Sequence, residues 1–160
     1  QHMESRMKDM QSLLQKAERK GYELTVESIE QNIFDIAGIR VITNYVDDIY
    51  KIEKMLTKQS DVTLLRRKDY VKHPKASGYR SLHIVVKVPV FQAEGPIDVP
   101  VEIQIRTVGM DMWASLEHKL RYKTNVDKKL VDQYGDQLQG YADELEKIER
   151  GMQDIHQNLI

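Results

Sequence analysis

Two neighbouring stretches of alternating residues place the strongest constraint on the fold of this chain. In residues 82–90 and again in residues 99–106, every second side chain is apolar, which is the pattern of a strand that buries one face. The Glu-Gly-Pro sequence at residues 94–96 lies between them and is a turn signal. The sequence therefore predicts two strands that form a β-hairpin.

Shorter patterns on both sides of the hairpin predict further strands and helices. Together they predict an α+β domain in which a mixed sheet of about five strands is flanked by helices. The predicted strands cover residues 39–43 and 62–65, and the predicted helices cover residues 3–21, residues 25–33 with Thr25 as the cap, a segment that begins at Asp47 or Asp48, and about residues 108–123.

The C-terminal part of the chain carries an apolar repeat that predicts one long helix. From Val131 to Leu159, apolar residues recur at spacings that average about 3.5, the period of a coiled coil. Such a seam requires a long apolar partner, which packing within the chain or contact between subunits would supply equally well. We therefore divide the chain into a domain of residues 1–125 and a helical oligomerisation segment of residues 126–160.

Charge balance and the absence of cysteine exclude several classes of protein. Lys and Arg number 24 against 25 Asp and Glu, which argues against a chain that coats nucleic acid or an anionic membrane. Without cysteine there is no disulfide scaffold and no cysteine-ligated metal. No apolar stretch approaches membrane-spanning length, so we expect a cytoplasmic protein without a membrane partner. Because the first residues enter a helical pattern without a lead-in, we also expect a segment to precede them.

The second strand of the hairpin carries a polar face on which chemistry could occur. Glu102, Gln104 and Arg106 alternate with apolar residues and therefore share one face. Pairing within the hairpin could bring His83 or Lys87 onto the same face. A strand that simply exposes its polar side to water has the same pattern, so alternation alone does not decide between the two interpretations.

Two carboxylates are candidate ligands of a magnesium ion. Asp35 directly precedes the strand predicted at residues 39–43, in which Arg40 adds a positive charge, and Glu102 lies on the polar face. Mg²⁺ typically takes one or two carboxylates together with substrate phosphates. Two unrelated surface carboxylates explain the same spacing, and that alternative stays open.

A basic segment precedes the hairpin. Gly78 allows the backbone to approach a ligand closely, and Tyr79 offers a flat ring on which a base can stack. A site for a phosphorylated aromatic ligand, a solvated loop and a single-stranded nucleic-acid site explain these features about equally. The six cations of the segment, set against the single acid Asp69, are Arg66, Arg67, Lys68, Lys72, Lys75 and Arg80.

The helix predicted over about residues 108–123 is equally ambiguous. Trp113 lies beside an apolar stripe and is most simply a core residue. His118, Arg121 and Lys123 add cationic groups that could face either phosphates or water.

Five sequence segments together resemble the synthetase domain of the RelA/SpoT family. They are DIAGIRV, RRKDY, PKASGYRSLH, VEIQIRT and WASLEHKLRYK, and the resemblance extends from Glu4 to about Lys123. The short length and helical tail are similar to the single-domain small alarmone synthetases of bacteria. The resemblance implies a nucleotidyltransferase-like domain that uses Mg²⁺ to transfer the β,γ-pyrophosphate of ATP to the 3'-hydroxyl of GDP or GTP. It also implies a homotetramer assembled through terminal helices.

The same resemblance implies roles for individual residues. Asp35 would hold Mg²⁺, and Glu102 would join the metal site or act as general base on the 3'-hydroxyl. Tyr79 would stack on guanine and Arg40 would pack against adenine. The residues implied for ATP are Arg6, Lys8, Arg40, Arg66 and Lys68, and those implied for the guanosine nucleotide are Lys72, Lys75, Gly78, Tyr79, His83, Gln104, Arg106, His118 and Arg121.

Other functions stay open at this point. A catalytically silent module that binds nucleotides or single-stranded RNA would keep the basic loop and Tyr79, although we do not expect RNA as the main partner. A helical oligomerisation protein would explain only the tail. No His-Asp dipeptide occurs, so we expect synthesis without alarmone hydrolysis. We also expect residues 72–79 to be mobile without nucleotide, because Ala76, Ser77 and Gly78 offer little to pack.

Overall fold

The computed structural model describes residues 23–28, 37–123 and 125–160, and the predicted helix over residues 3–21 lies outside this part of the chain. None of the described helices is long and apolar enough to cross a membrane. The described elements are, in chain order, β1 (Glu23–Ser28), β2 (Ala37–Thr43), α1 (Val46–Thr57), β3 (Thr63–Asp69), β4 (Leu82–Gln92), β5 (Gly95–Thr107), α2 (Val108–Tyr122) and α3 (Lys128–Leu159).

The strands form one mixed sheet in the order β1-β2-β5-β4-β3. β2 runs parallel to β5, whereas every other neighbouring pair in this sheet is antiparallel. β4 pairs with β5 along the whole length of β4, from Leu82 opposite Ile105 to Gln92 opposite Gly95, so the predicted hairpin is confirmed. The predicted α+β class, with helices flanking a mixed sheet and a long C-terminal helix, is also confirmed.

The hairpin turn is tighter than the signal at residues 94–96 suggested. Gly95 already pairs with Gln92, and its φ of +116° lies in the left-handed region that glycine adopts without a Cβ clash. The apolar alternation ends at Val90 and resumes at Val99, but backbone pairing does not require apolar side chains. The two strands therefore continue beyond the alternating residues.

The predicted helix over residues 25–33 is wrong in its first part, because Glu23–Ser28 form the strand β1. Thr25 does not cap a helix and instead pairs with Arg40 of β2. The Leu-Thr-Val sequence suits a strand, and pairing along an available sheet edge outweighs a local capping signal. Residues 29–33 lie outside the described part of the chain.

β3 is longer than predicted: the predicted strand ended at Leu65, whereas β3 continues to Asp69. The added residues are mostly basic, so no apolar alternation reveals them in the sequence. They lie on an edge strand of the sheet, where charged side chains hinder pairing with another chain.

α1 begins at Val46, after the extended residue Tyr45, which makes no side-chain capping hydrogen bond. Asp47 and Asp48 therefore lie in the first helical turn and do not provide the cap that the sequence suggested. Carboxylates in that position still interact favourably with the N-terminal end of the helix dipole.

The main core lies between α1 and one face of the sheet. Ile49, Ile52 and Leu56 of α1 are almost completely buried, and so are Ile84 of β4 and Ile103 of β5. These strand residues belong to the apolar half of the alternation. The polar half consequently points to the opposite face of the sheet, which α1 does not cover.

α3 is a single helix of 32 residues that begins at Lys128, slightly before the predicted repeat. Leu138 and Ala142 are buried against Trp113 and Ala114 of α2. Ala142 is not a member of the repeat, and Leu145 is partly buried against the same residues, whereas most other members of the repeat are exposed. The apolar seam therefore divides between an inward side and an outward side. The exposed residues of the repeat are Tyr134, Tyr141, Ile148, Met152, Ile155 and Leu159.

We expect replacement of Ile103 by alanine to lower the free energy of unfolding by about 2–5 kcal/mol, because the side chain is completely buried in the main core. Ile97 of the same strand is 44% exposed, so Ile97→Ala is the matched control and should cost much less. Urea unfolding at one fixed protein concentration measures both values, and similar losses would contradict this account of the core.

Candidate active site

Polar residues of four neighbouring strands form one row across the sheet. Gln104 of β5 lies opposite Arg40 of β2 on one side and opposite His83 of β4 on the other. His83 in turn lies opposite Lys68 of β3. Residues that face each other in a ladder point to the same side of the sheet, so the row places three cationic or titratable groups around Gln104.

Glu102 belongs to the next row on the same face. Its neighbour in β4 is Val85, which pairs with Arg66 of β3. Its neighbour in β2 is Gly38, three residues after Asp35 in the sequence. Asp35 itself lies outside the described residues, as do Arg6 and Lys8.

A chain of polar contacts holds Glu102 in place. Gln104 donates its Nε2 to Glu102 Oε1 at 3.0 Å and accepts a hydrogen bond from Arg106 Nη2 at 3.2 Å. Arg106 is 4% exposed, and its Nε lies 3.3 Å from Asp111 Oδ1. The same oxygen lies 3.6 Å from Nη1 of Arg40. A buried guanidinium is stable only with such a partner, so Asp111 fixes two cations on the polar face.

Sequence reasoning missed Asp111. The residue lies in the first turn of α2, immediately beyond the end of β5. Neither strand alternation nor the helix stripe singles it out, because its role depends on β2 and β5 lying side by side. Only the parallel pairing of these two strands brings Arg40 and Arg106 within reach of one carboxylate.

Three aromatic rings and one lysine form a cluster beside the polar face of the sheet. The Tyr79 hydroxyl lies 2.8 Å from His83 Nε2, and the two rings meet edge to face. Tyr70 meets both rings in the same manner. The Lys75 ammonium lies 4.9 Å from the centroids of the Tyr70 and Tyr79 rings, a cation–π geometry.

Burial sets the protonation states in this cluster. It lowers the pKa of His83 to about 4, although the charge of Glu102 acts in the opposite direction. Burial also raises the pKa of Tyr79. At neutral pH the pair is therefore an uncharged imidazole beside an uncharged phenol and adds no charge to the site.

Residues of the polar face, of the loop before β4 and of α2 line an open cleft of about 530 Å³, whereas Glu102, His83 and Tyr70 lie outside its lining. Its floor comes from β2 and β5, its rim from residues 75–79, and one wall from α2. Among the described residues of the lining, Glu117 is the only acid, so the cleft is strongly cationic. The sequence-predicted residues in the lining are Arg40, Lys75, Tyr79, Gln104, Arg106, His118 and Arg121.

The α2 wall contributes residues that sequence reasoning missed. Ser115 and Tyr122 lie three and four residues from His118, whose ring contacts that of Tyr122 at 4.4 Å, and Lys119 lies four residues after Ser115. Helical spacing from His118 was the signal that could have identified Ser115 and Tyr122. Arg121 is bound to Glu117 one turn earlier, which fixes it at the rim of the cleft.

Other predicted site residues lie near the cleft without lining it. Arg66 and Lys68 lie on the edge strand β3, on the side of the sheet that carries the polar face. Lys72 is exposed, and its backbone amide donates to Asp69. Arg67 points to the other face and is paired with Glu53 of α1, so this part of the basic segment is structural.

Gly78 is also absent from the cleft lining, and its environment differs from the prediction. Residues 72–76 are exposed, but Gly78 is buried and packs against Ala142 of α3. The expectation that it offers little to pack is wrong, because the partner lies far away in the sequence. Mobility of the exposed residues stays a prediction.

No group of three or more His, Asp or Glu side chains that could hold a metal ion occurs among residues 23–28, 37–123 and 125–160. Glu102 is half-buried beside Gln104 and faces the cationic row. Mg²⁺ is usually bound by one or two protein carboxylates together with substrate phosphates. The donor chemistry of Glu102 therefore fits this ion.

Comparisons with known proteins agree with the geometry. Residues 5–127 match the family model described as a region found in RelA / SpoT proteins. GTP pyrophosphokinase YwaC from Bacillus subtilis is 42% identical over 148 residues, which cover 90% of this chain and 70% of the relative. The GTP pyrophosphokinase YjbM of the same organism is 44% identical over 119 residues, and here the chain spans 54% of the relative's length.

A solved structure extends the agreement to the fold. The small alarmone synthetase 2 of Bacillus subtilis superposes with a TM-score of 0.81 at 31% identity, covering 97% of this chain and 94% of that chain. The small alarmone synthetase 1 of that organism, in a structure with its product pppGpp, superposes with a TM-score of 0.68 at 34% identity, covering 94% and 74% of the two chains.

The low pKa of His83 predicts how stability depends on pH. The folded pKa of about 4 lies below the ordinary value of 6.5, so the unfolded chain binds this proton more tightly. The contribution of neutral, buried His83 to the free energy of unfolding is complete above about pH 6.5 and is lost as the pH falls towards 4. Between pH 7 and 4.5, we expect His83→Gln to lose roughly 2 kcal/mol less unfolding free energy than the parent protein.

His73→Gln is the matched control, because His73 is exposed in the loop at residues 72–76. Chemical unfolding of the three proteins at both pH values measures the effect. Parallel pH profiles for the parent protein and His83→Gln would show that another group carries the dependence.

Proposed function

The chain belongs to the RelA/SpoT family, and on this premise we propose that it is a (p)ppGpp synthetase. The enzyme transfers the β,γ-pyrophosphate of ATP to the 3'-hydroxyl of GDP or GTP and releases AMP. The observation that carries the proposal is the position of Glu102. This carboxylate lies on the polar face of the central strand, next to a cationic cleft with the Tyr79 ring at its rim.

The cleft suits ligands that combine phosphates with a flat base. Arg40, Arg106 and Lys75 supply positive charge towards phosphate oxygens, and Arg106 is held in place by Asp111 before any ligand arrives. Tyr79 provides the stacking surface for guanine, and the Lys75 ammonium over its ring would move aside for the base. The relative with bound pppGpp supports a guanosine nucleotide as a ligand of this chain, and we place that nucleotide in this cleft.

We assign Mg²⁺ to Glu102 and Asp35 as the cofactor site. When bound, the ion would neutralise charge that develops on the phosphates of ATP. Gln104 orients the Glu102 carboxylate by donating to one oxygen, and Arg106 orients Gln104 in turn. The carboxylate is thus positioned either towards the ion or towards the attacking hydroxyl.

The reaction requires one proton transfer and one exchange of bonds at phosphorus. The 3'-oxygen attacks the β-phosphorus in line and forms a new bond, while the bond from that phosphorus to the bridging α,β-oxygen breaks and AMP leaves. In its role as general base, Glu102 would accept the hydroxyl proton, a contribution of typically 10²- to 10⁴-fold. The arginines and lysines of the cleft stabilise the charge on the leaving oxygen, and positioning by the cleft supplies much of the remaining acceleration.

We expect Glu102→Gln to reduce turnover at least 100-fold, because the amide neither accepts the proton nor binds Mg²⁺ well. The assay follows AMP and a 3'-pyrophosphorylated guanosine product from ATP with GDP or GTP. A magnesium titration separates the two roles of Glu102. Partial recovery at high Mg²⁺ indicates a metal ligand, whereas no recovery indicates the general base.

Glu94→Gln is the matched control, since Glu94 is an exposed acid in the hairpin turn and should leave turnover unchanged. Product formation by Glu102→Gln at the parental rate would exclude both roles. A folded parent protein that makes no product, but binds single-stranded RNA with a steep salt dependence, would favour the binding module instead.

We further propose that copies of this chain cover the exposed apolar residues of α3. Ile155 is 62% exposed and Leu159 is 80% exposed, and both belong to the outward side of the heptad seam. A continuous apolar stripe of this kind is typical of a surface that another subunit buries. Assembly of terminal helices into a homotetramer would satisfy it.

Ile148→Lys tests this assembly, because it places a charge in the middle of the exposed stripe. We expect light scattering to show a smaller species than the tetramer proposed for the parent protein at the same concentration, and a monomeric parent protein would contradict the proposed assembly. Asp154→Lys adds the same side chain at an exposed position outside the stripe and should leave the mass unchanged. Tetramers in both variants would exclude α3 as the contact.

A further inference from the structure

The three residues Gly78, Tyr79 and Arg80 face two different parts of the molecule. Tyr79 lines the cleft, whereas Gly78 and Arg80 on either side of it are buried beneath α3. An extended segment with alternating directions produces this arrangement. The residue that presents its ring to the cleft is therefore fixed from behind by a helix that does not line that cleft.

Gly78 makes the first contact with α3. Its φ of +102° lies in the left-handed region. A Cβ added at this position would lie 2.9 Å from Ala142 Cβ and 3.2 Å from Trp113 Cζ2. The backbone of the loop therefore lies directly on α2 and α3, and no side chain fits between them.

Arg80 makes the second contact. The residue is 8% exposed, and its guanidinium donates to the Ala142 carbonyl oxygen in α3. Its Nη2 lies 3.4 Å from Asp143 Oδ1 and 3.5 Å from Glu146 Oε2. A cation buried this deeply requires compensation, and every partner named here belongs to α3. Loss of the helix would leave the guanidinium without them.

Two further contacts close the same junction. Trp113 of α2 donates its Nε1 to the Leu138 carbonyl oxygen at 2.6 Å, which ties the cleft wall to α3. Glu149, also in α3, is mostly buried beside Gly109 at the beginning of α2. Burial raises its pKa, while Thr107 and the charge of Arg80 lower it.

We infer that Arg80 is a positioning residue that, through α3, fixes the Tyr79 ring for the guanine base. The inference rests on the proposed function, in which guanine stacks on Tyr79. It extends the synthetase site to a helix that touches no substrate. Loosening this anchor should weaken binding of the guanosine nucleotide and leave binding of ATP unaffected. Arg40, which we assign to ATP, is held by Asp111 and not by α3.

Steady-state kinetics of Arg80→Ala tests the inference. We expect KM for GDP to rise tenfold or more, with KM for ATP changed less than threefold. Arg80→Lys keeps the positive charge but lacks the planar guanidinium group, so its KM for GDP should lie between those of the parent protein and Arg80→Ala. Equal changes in both KM values, or a fall in kcat with unchanged KM for GDP, would overturn the inference.

A second pair of variants leaves Arg80 intact. Ala142→Gln inserts a bulky side chain where Gly78 meets α3, and it should raise KM for GDP in the same way. Gly140→Gln is its matched control on the same helix, because a Cβ at Gly140 would meet no atom within 4 Å. A rise in KM for GDP in both variants, or in neither, would contradict a specific contact at Gly78.

Trypsin cleavage of the loop distinguishes failure of the inference from failure of the proposed function. Without any nucleotide, Arg80→Ala and Ala142→Gln should be cut faster at Lys72 and Lys75 than the parent protein and Gly140→Gln. If Arg80→Ala and Ala142→Gln are cut faster than the parent protein, but the parent protein makes no product, the anchor is supported and only the synthetase is refuted. Equal cleavage rates in all four proteins refute the anchor itself.

Discussion

The central position of β5 is the constraint on which the rest of the structure depends. This strand pairs in parallel with β2 and antiparallel with β4, so one strand sets the register of both neighbours. Its apolar residues complete the core against α1, while Glu102, Gln104 and Arg106 face the other side. A shift of one residue would exchange the two faces, because side chains alternate along a strand. Core stability and site geometry are therefore specified together.

Pairing in the sheet also explains how a chain of near-zero net charge acquires a cationic cleft. Arg40 and Arg106 lie on adjacent strands, and their mutual repulsion is offset by Asp111 from the start of α2. The carboxylate lies at the edge of the cleft and is not part of its lining. Arg40 and Arg106 line the cleft whereas Asp111 does not, so positive charge predominates in the lining and attracts phosphates.

The sequence predicted those parts of the molecule whose signals are local. Strand alternation located the hairpin, and helical spacing located α2 and α3, because one buried side determines each pattern. β1 escaped notice since Thr25 carries a local capping signal that pairing with β2 overrides. In the cleft, the family resemblance indicated Arg40 and Tyr79, whereas Asp111 and the Arg80 anchor depend on contacts between distant segments. No periodic pattern records such contacts, so only the folded chain reveals them.

The heptad repeat of α3 illustrates how one pattern can serve two surfaces. Leu138 and Leu145 of the repeat pack with Trp113 of α2 and with Tyr79, while Ile148 and Ile155 lie exposed on a neighbouring side of the helix. Since α3 is continuous, a subunit bound to the exposed side would hold the inward side in place at the same time. Subunit assembly and the position of the Tyr79 ring would then depend on the same rigid element. The acids that compensate Arg80, Asp143 and Glu146, lie on that same helix.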